Sequence, residues 1–432
     1  MGFLLSSLIF SIIIRWDLSL IFLSANFLIT ITFLNGNQIL FLDKNIISSI
    51  LILLSYFIII IIIQARNWYN LIKNWISTYL YNTIIIIMIL FMCFYVKNFI
   101  LFYFIFELVV IPTFLIILGW GYRTERIQAG TYLFIYTLIA SLPFLIFLNF
   151  FYSNNNTLEF DNRFFIKDFI RSKYWWILIR LVFMVKIPIF LVHIWLPKAH
   201  VEAPVSGSII LAGILLKLGR YGFLKLFSII ISKYYNEFIL LSIRSIGTFI
   251  IRLNCIRQND LKCLVAYSSV AHINIIIISF LSISWLRIKR AIIIMIAHGL
   301  RSSAIFFILN IFYTSNKSRR IILIKRLIFS SRTLSFWWFL LCCLNISCPP
   351  SINFASEIII ILSIISYRFY FIILIVVILI VRGIYSILLF NIANHGRKIF
   401  SYNINLSCIN DNLVLFCHTF FSFFLILIIF IL

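Results

Sequence analysis

Four ionisable side chains stand inside long apolar runs of this 432-residue chain. Glu107 lies midway in NFILFYFIFELVVIPTFLIILGW, with no other charge between Asn98 and Gly121. Lys186 is mid-run in ILIRLVFMVKIPIFLV, Lys217 in SIILAGILLKLGRYG and Glu357 in LNISCPPSINFASEIIIILSII. By this reading the other ten of the 12 carboxylates fall in loops or near the ends of runs. A carboxyl and an amine buried together each favour the other's charged form. A conformational change that parts them makes the lysine release or take up a proton, so these are the parts of a proton relay. His272 and His298, also inside apolar stretches, can carry a proton or simply hydrogen-bond between helices.

A charge at the centre of a bilayer costs about 2.5–3.5 kcal/mol, so four cost on the order of 10 kcal/mol, as much as a domain's whole net stability. They must be paired, hydrated in a cavity, or neutral. The blander account makes them structural ion pairs, yet buried pairs are an inefficient source of stability. The stretch 184–207, MVKIPIFLVHIWLPKAHVEAPVSG, adds helix breakers to the charges. Pro188 cannot donate to the carbonyl of Met184 and its ring crowds that turn, which predicts a kink or break beside Lys186. Pro349-Pro350 predicts a second break seven residues before Glu357. Interrupted helices at membrane depth must line protein or water, so each break implies a hydrated pocket.

The elements that carry these residues are membrane helices. Hydrophobic residues make up 63% of the chain and charged residues 11%, against about a quarter charged in soluble proteins, and the mean hydropathy is +1.12. The apolar runs are long enough to span as helices and do not alternate as barrel strands would. They predict an all-α polytopic membrane protein of about 14 transmembrane helices. The expected spans are 2–14, 17–34, 46–64, 79–96, 98–118, 128–152, 175–196, 204–227, 236–256, 262–284, 288–313, 335–366, 369–394 and 411–432. Short loops make residues 1–432 one membrane domain. Residues 1–75 form peripheral N-terminal spans, 79–230 and 236–396 two comparable halves, and 411–432 a C-terminal span.

The excess of 36 Lys+Arg over 12 Asp+Glu, formally +24, belongs to short loops and lipid headgroups. No basic run interleaved with aromatics points to nucleic acid. The basic loops after odd-numbered spans place those loops on the matrix or cytoplasmic side. The eight cysteines form no C-x-x-C pair and read as small buried hydrophobes. No phosphate-binding loop, metal cluster or other cofactor-binding motif appears. Abundant Phe, Tyr, Ile and Asn suggest an A/T-rich genome such as a mitochondrion's.

MVKIPIFLVHIWLPKAHVEAPVSGSIILAGILLKLGRYG resembles the central signature of the chain 4 family of mitochondrial NADH–ubiquinone oxidoreductase, the antiporter-like proton-pumping membrane subunits of respiratory complex I. FELVVIPTFLIILGWGYRTERIQAGTYLFIYT, RQNDLKCLVAYSSVAHI, IAHGLRSSAIFF and CPPSINFASE resemble its other signatures in order, over roughly residues 80–390. The resemblance implies two inverted repeats with two discontinuous helices, and a multi-pass location in the mitochondrial inner membrane. It implies that Glu107 pairs with Lys186, that Lys217 is the central lysine, and that Glu357 is the acidic group of the twelfth span. It assigns His193, His200, His272 and His298 to a central polar axis. It implies partners among the other membrane-arm subunits and lipids, with NADH, FMN, iron–sulfur clusters and ubiquinone on partner subunits and no cofactor on this chain. A multisubunit sodium/proton antiporter subunit is the alternative, since it shares the fold and the lysine–glutamate set. A membrane scaffold leaves the four charged groups unexplained.

The chain departs from the family at Arg220 and Arg301, where a small neutral residue is usual, and Arg244 and Arg382 are also unexpected inside spans. One account is decoding. Some animal mitochondria read AGA and AGG as Ser or Gly, and CGN codons at these positions would exclude it.

Overall fold

The computed structural model describes residues 44–64, 73–155, 181–229, 237–281, 287–316, 318–323, 325, 331–367, 370–396 and 409–431. All named elements among them are helical, as lipid demands, because a helix satisfies its backbone groups within one segment. Among the described residues seven helices are long and apolar enough to cross a membrane, and four shorter apolar helices accompany them. The expected spans 2–14 and 17–34 lie outside the described residues.

The chain divides into two compact units, residues 1–187 with 202–233 and residues 188–201 with 234–432. In the first unit, α1 (Lys44–Gln64), α2 (Lys73–Tyr95), α3 (Phe99–Leu108), α4 (Val110–Trp120) and α5 (Arg126–Asn155) precede the helical residues 181–186. Asn98 caps α3 by accepting from the Ile100 N–H at 2.9 Å. α3 and α4 form one span, because Val109 between them stays right-handed at φ −59°, ψ −29°. The interruption has a local cause: Pro112 has no N–H for the carbonyl of Leu108, and its ring crowds that turn.

After Lys186 the chain leaves the helix and re-enters it at α6 (Trp195–Glu202), so the expected 175–196 span is broken where Pro188 predicts. Within the break Leu191 adopts φ 88°, a left-handed conformation that a branched side chain rarely takes. The 204–227 span is α7 (Val205–Ile210), a π-helical turn (Leu211–Leu215) and α8 (Leu216–Ile229).

α8 packs closely on the Lys186 helix. A Cβ added at Gly222 would lie 2.4 Å from Phe183 Cε1 and 3.0 Å from Phe102 Cζ, whereas one at Gly219 would lie 3.0 Å from Ile187 Cγ1. Both rings are buried, so neither can swing clear. Gly222→Ala is therefore expected to destabilise the first unit by about 1–3 kcal/mol through overpacking. It should lower the thermal unfolding midpoint of the purified protein more than Gly219→Ala does.

The second unit holds α9 (Glu237–Ile256), α10 (Leu261–Leu281), α11 (Arg287–Asn316), α12 (Arg332–Ile346), α13 (Ile352–Tyr367), α14 (Phe371–Asn394) and α15 (Ile409–Ile431). α10 and α11 are almost wholly buried. The expected 335–366 span is two helices, α12 and α13. Ser347 ends α12 in the left-handed conformation, φ 65° and ψ 50°. The Ser347 N–H bonds to Leu344 O and the Cys348 N–H to Cys343 O, a Schellman stop with serine in the usual glycine place. Pro349-Pro350 follows and α13 restarts at Ile352.

Candidate functional site

The first unit brings Glu107 and Lys186 into direct contact. Lys186 Nζ lies 2.8 Å from Glu107 Oε1, with side chains 7% and 13% exposed. The ammonium also donates to Phe106 O at 3.2 Å and sits 3.3 Å from the centroid of the Phe106 ring, a cation–π contact in a water-poor setting. Phe102, Phe106, Phe144 and Phe183 stack and tilt against one another around this pair. Both charges sit at helix interruptions. Glu107 is in the last turn of α3 before the Pro112 irregularity, and Lys186 is the last helical residue before Pro188.

Lys217 opens α8 immediately after the π turn and is 1% exposed. Its Nζ donates to Ala212 O at 2.5 Å, inside that turn. The wider turn is the kind of irregularity often found at functional sites. A Cβ at Gly219 would come within 3.5 Å of Lys186 Cβ, so the helix carrying Lys217 presses on the backbone that carries Lys186. Arg220 is fully buried in the same helix.

The second unit brings Glu357, His272 and His298 to one cavity of about 30 Å³, shared with Arg301, Asn353 and Ser356. That volume admits roughly two waters. The His272 and His298 ring centroids are 6.4 Å apart, and among the described residues His272 Nε2 has no hydrogen-bond partner. Ser347 Oγ donates to Glu357 Oε2 at 2.6 Å across the helix break, and Arg382 pairs with Glu357 Oε1. Arg382 Nε also donates to Asn345 O, and Arg252 Nη1 to Ile378 O.

His193 and His200 do not line this cavity. His200 is buried and stacks on Phe306 at 4.7 Å, while His193 lies against Phe190 and Tyr267 at 6.0 Å each. Three participants escaped the sequence reading. His418 on α15 is buried and lies 3.4 Å from Ser303 Oγ; its only local sign was a histidine in an apolar run. Ser347 carried no sign beyond its nearness to the prolines. Arg252 resembled a span-end arginine and is instead fully buried. Among the described residues no group of three or more His, Cys, Asp or Glu could hold a metal ion.

Residues 96–382 match the family described as NADH:quinone oxidoreductase/Mrp antiporter, TM. The chain is similar to the NADH-ubiquinone oxidoreductase chain 4 of Ceratitis capitata, with 39% identity over 385 residues, 88% of this chain and 85% of that one. It is also 39% identical to the NADH-ubiquinone oxidoreductase chain 4 of Aedes aegypti over 320 residues, 73% of this chain and 71% of that one. In fold it is similar to a chain of respiratory complex I from Thermus thermophilus with bound NADH. The TM-score is 0.82 at 16% identity, covering 98% of this chain and 95% of the other.

Proposed function

The chain belongs to the NADH-ubiquinone oxidoreductase chain 4 family, and from that premise we propose that it is a proton-translocating membrane-arm subunit of respiratory complex I. It works in the mitochondrial inner membrane, where the complex couples NADH oxidation and ubiquinone reduction to proton pumping. FMN, the iron–sulfur clusters and the quinone reside on partner subunits, and neighbouring antiporter-like chains and lipids surround this one. The observation that carries the reading is the buried contact of Lys186 with Glu107 at 2.8 Å, at the ends of two interrupted helices.

A pair so placed can be switched. With Glu107 against it, Lys186 keeps its proton; movement at either interruption lengthens the contact and removes the charge that favours the ammonium. Lys217, one buried amine further on, stores the proton and passes it inward through histidines and water. Glu357 is the exit or connecting group, facing the His272–His298 cavity. Coupling from the redox partners arrives electrostatically, since quinone chemistry happens elsewhere.

The antiporter reading differs in its partners. Purified from native membranes under mild detergent, the chain is expected to travel with NADH-dehydrogenase and quinone-reducing activity. A preparation free of redox partners that exchanges sodium for protons would overturn the assignment.

A further inference from the structure

Arg252, Arg301 and Arg382 come from three different helices, α9, α11 and α14, and meet around a single acid. Arg382 touches Glu357, Arg301 lines the same cavity, and Arg252 and Arg301 both lie within electrostatic reach of Arg382 and Glu357. All three arginines are at most 4% exposed. Among the described residues, three guanidiniums against one carboxylate leave a surplus of two positive charges between apolar helices. The acceptors are few: Arg252 Nη1 donates to Ile378 O and Arg382 Nε to Asn345 O, while Nε and Nη2 of Arg252 and Nη2 of Arg382 meet no hydrogen-bond partner among the described residues. A guanidinium carries five donors and cannot shed its charge, so it has no neutral form to retreat to. His272 lines the same cavity, and its Nε2 has no hydrogen-bond partner among the described residues.

Serine fits these helix interiors without such demands. Ser268 on α10, Ser302 and Ser303 on α11, and Ser386 on α14 each donate their hydroxyl to a carbonyl three or four residues back. That bond satisfies the side chain within its own helix. The composition supplies the genetic route. A chain rich in Ile, Phe, Tyr and Asn draws on A/T-rich codons, and AGA is the A/T-rich codon of the arginine set. Several animal mitochondrial codes assign AGA and AGG to serine or glycine, and the relatives named above come from animals.

We propose that positions 252, 301 and 382 are AGA or AGG codons read by the organelle as serine or glycine, so that Glu357 faces its cavity with no guanidinium beside it. The inference rests on the mitochondrial reading above. Its consequence is chemical. A carboxylate paired with Arg382 has a partner whose charge never changes, unlike the lysine that faces Glu107. Without the three guanidiniums Glu357 keeps the Ser347 hydroxyl as donor, and the space Arg301 vacates joins the cavity bordered by His272 and His298.

The test is to sequence the gene and, separately, the chain isolated in the native complex, digested after denaturation with an arginine-specific protease. The expected result is AGA or AGG at the three positions, no cleavage there, and peptide masses that read serine or glycine. Cleavage after Arg126, a half-buried residue whose guanidinium donates to Gly121 O at 3.2 Å, supplies the positive control. CGN codons, or arginine in the peptide masses at any of the three positions, would overturn the proposal. True arginines at all three would make the cavity an anion site on charge alone. Neither outcome touches the pumping assignment, which rests on the family and on the Lys186–Glu107 contact.

Discussion

Lys217→Met is expected to stop proton transfer through this subunit while leaving the oxidation of NADH by its partners in place. Methionine has nearly the length of lysine and fills a buried slot with little loss of packing. What it removes is the ammonium that Ala212 O holds in the π turn, in a residue 1% exposed. Loss of a positioned proton carrier slows transfer by roughly 10²-fold or more. In reconstituted complex the ratio of protons moved to NADH oxidised should therefore fall by this chain's share. Lys217→Arg separates charge from proton exchange, because a guanidinium keeps the charge and holds its protons. It is expected to fold and to pump no better than the methionine variant. Pumping per NADH unchanged in Lys217→Met would take Lys217 out of the relay.

Glu107→Gln should cost more in stability than its small change in shape suggests. Removing one member of a buried ion pair strands the other, at about 3–5 kcal/mol. Here the stranded group is Lys186, whose remaining contacts are one carbonyl and one aromatic face. The double variant Glu107→Gln/Lys186→Met removes the stranded charge and should recover most of the loss. Pumping is expected to be lost in the single and the double variant alike, because both lack the switchable pair. Denaturation midpoints of the complex measure the first effect and proteoliposome acidification the second. A double variant no more stable than the single one would show that the two charges are not coupled.

Much of the architecture was legible because its causes are local. The proline rule located the breaks beside Lys186 and before Glu357, since a missing N–H acts on a carbonyl four residues away. Within the described residues the apolar runs located the helices for the same reason, their bounds moving by a few residues. Pro112 obeys the same rule and was passed over, because it sits in a run apolar enough to read as unbroken. The contact of Lys186 with Phe106 O spans 80 positions in the chain and that of Arg382 with Glu357 spans 25, beyond any helical period. The histidines divide likewise. His272 and His298 share a cavity and His200 stacks on Phe306, a division no spacing announces, because cavity walls come from several helices at once. The π turn at Leu211–Leu215 had no sign at all in a pattern read at 3.6 residues per turn.

Ser347 joins two tasks that proteins usually assign to separate residues. Its backbone makes the left-handed corner that ends α12, and its hydroxyl is a hydrogen-bond donor to Glu357. The corner and the bond are therefore mechanically one object. If residue 347 swings toward a right-handed shape, the hydroxyl is carried off the acid; if the acid tightens its hold, the corner stiffens. Bending between α12 and α13 and the Ser347 bond to Glu357 are thereby coupled, which gives this half of the molecule a lever with its handle in the backbone and its working end on a carboxylate.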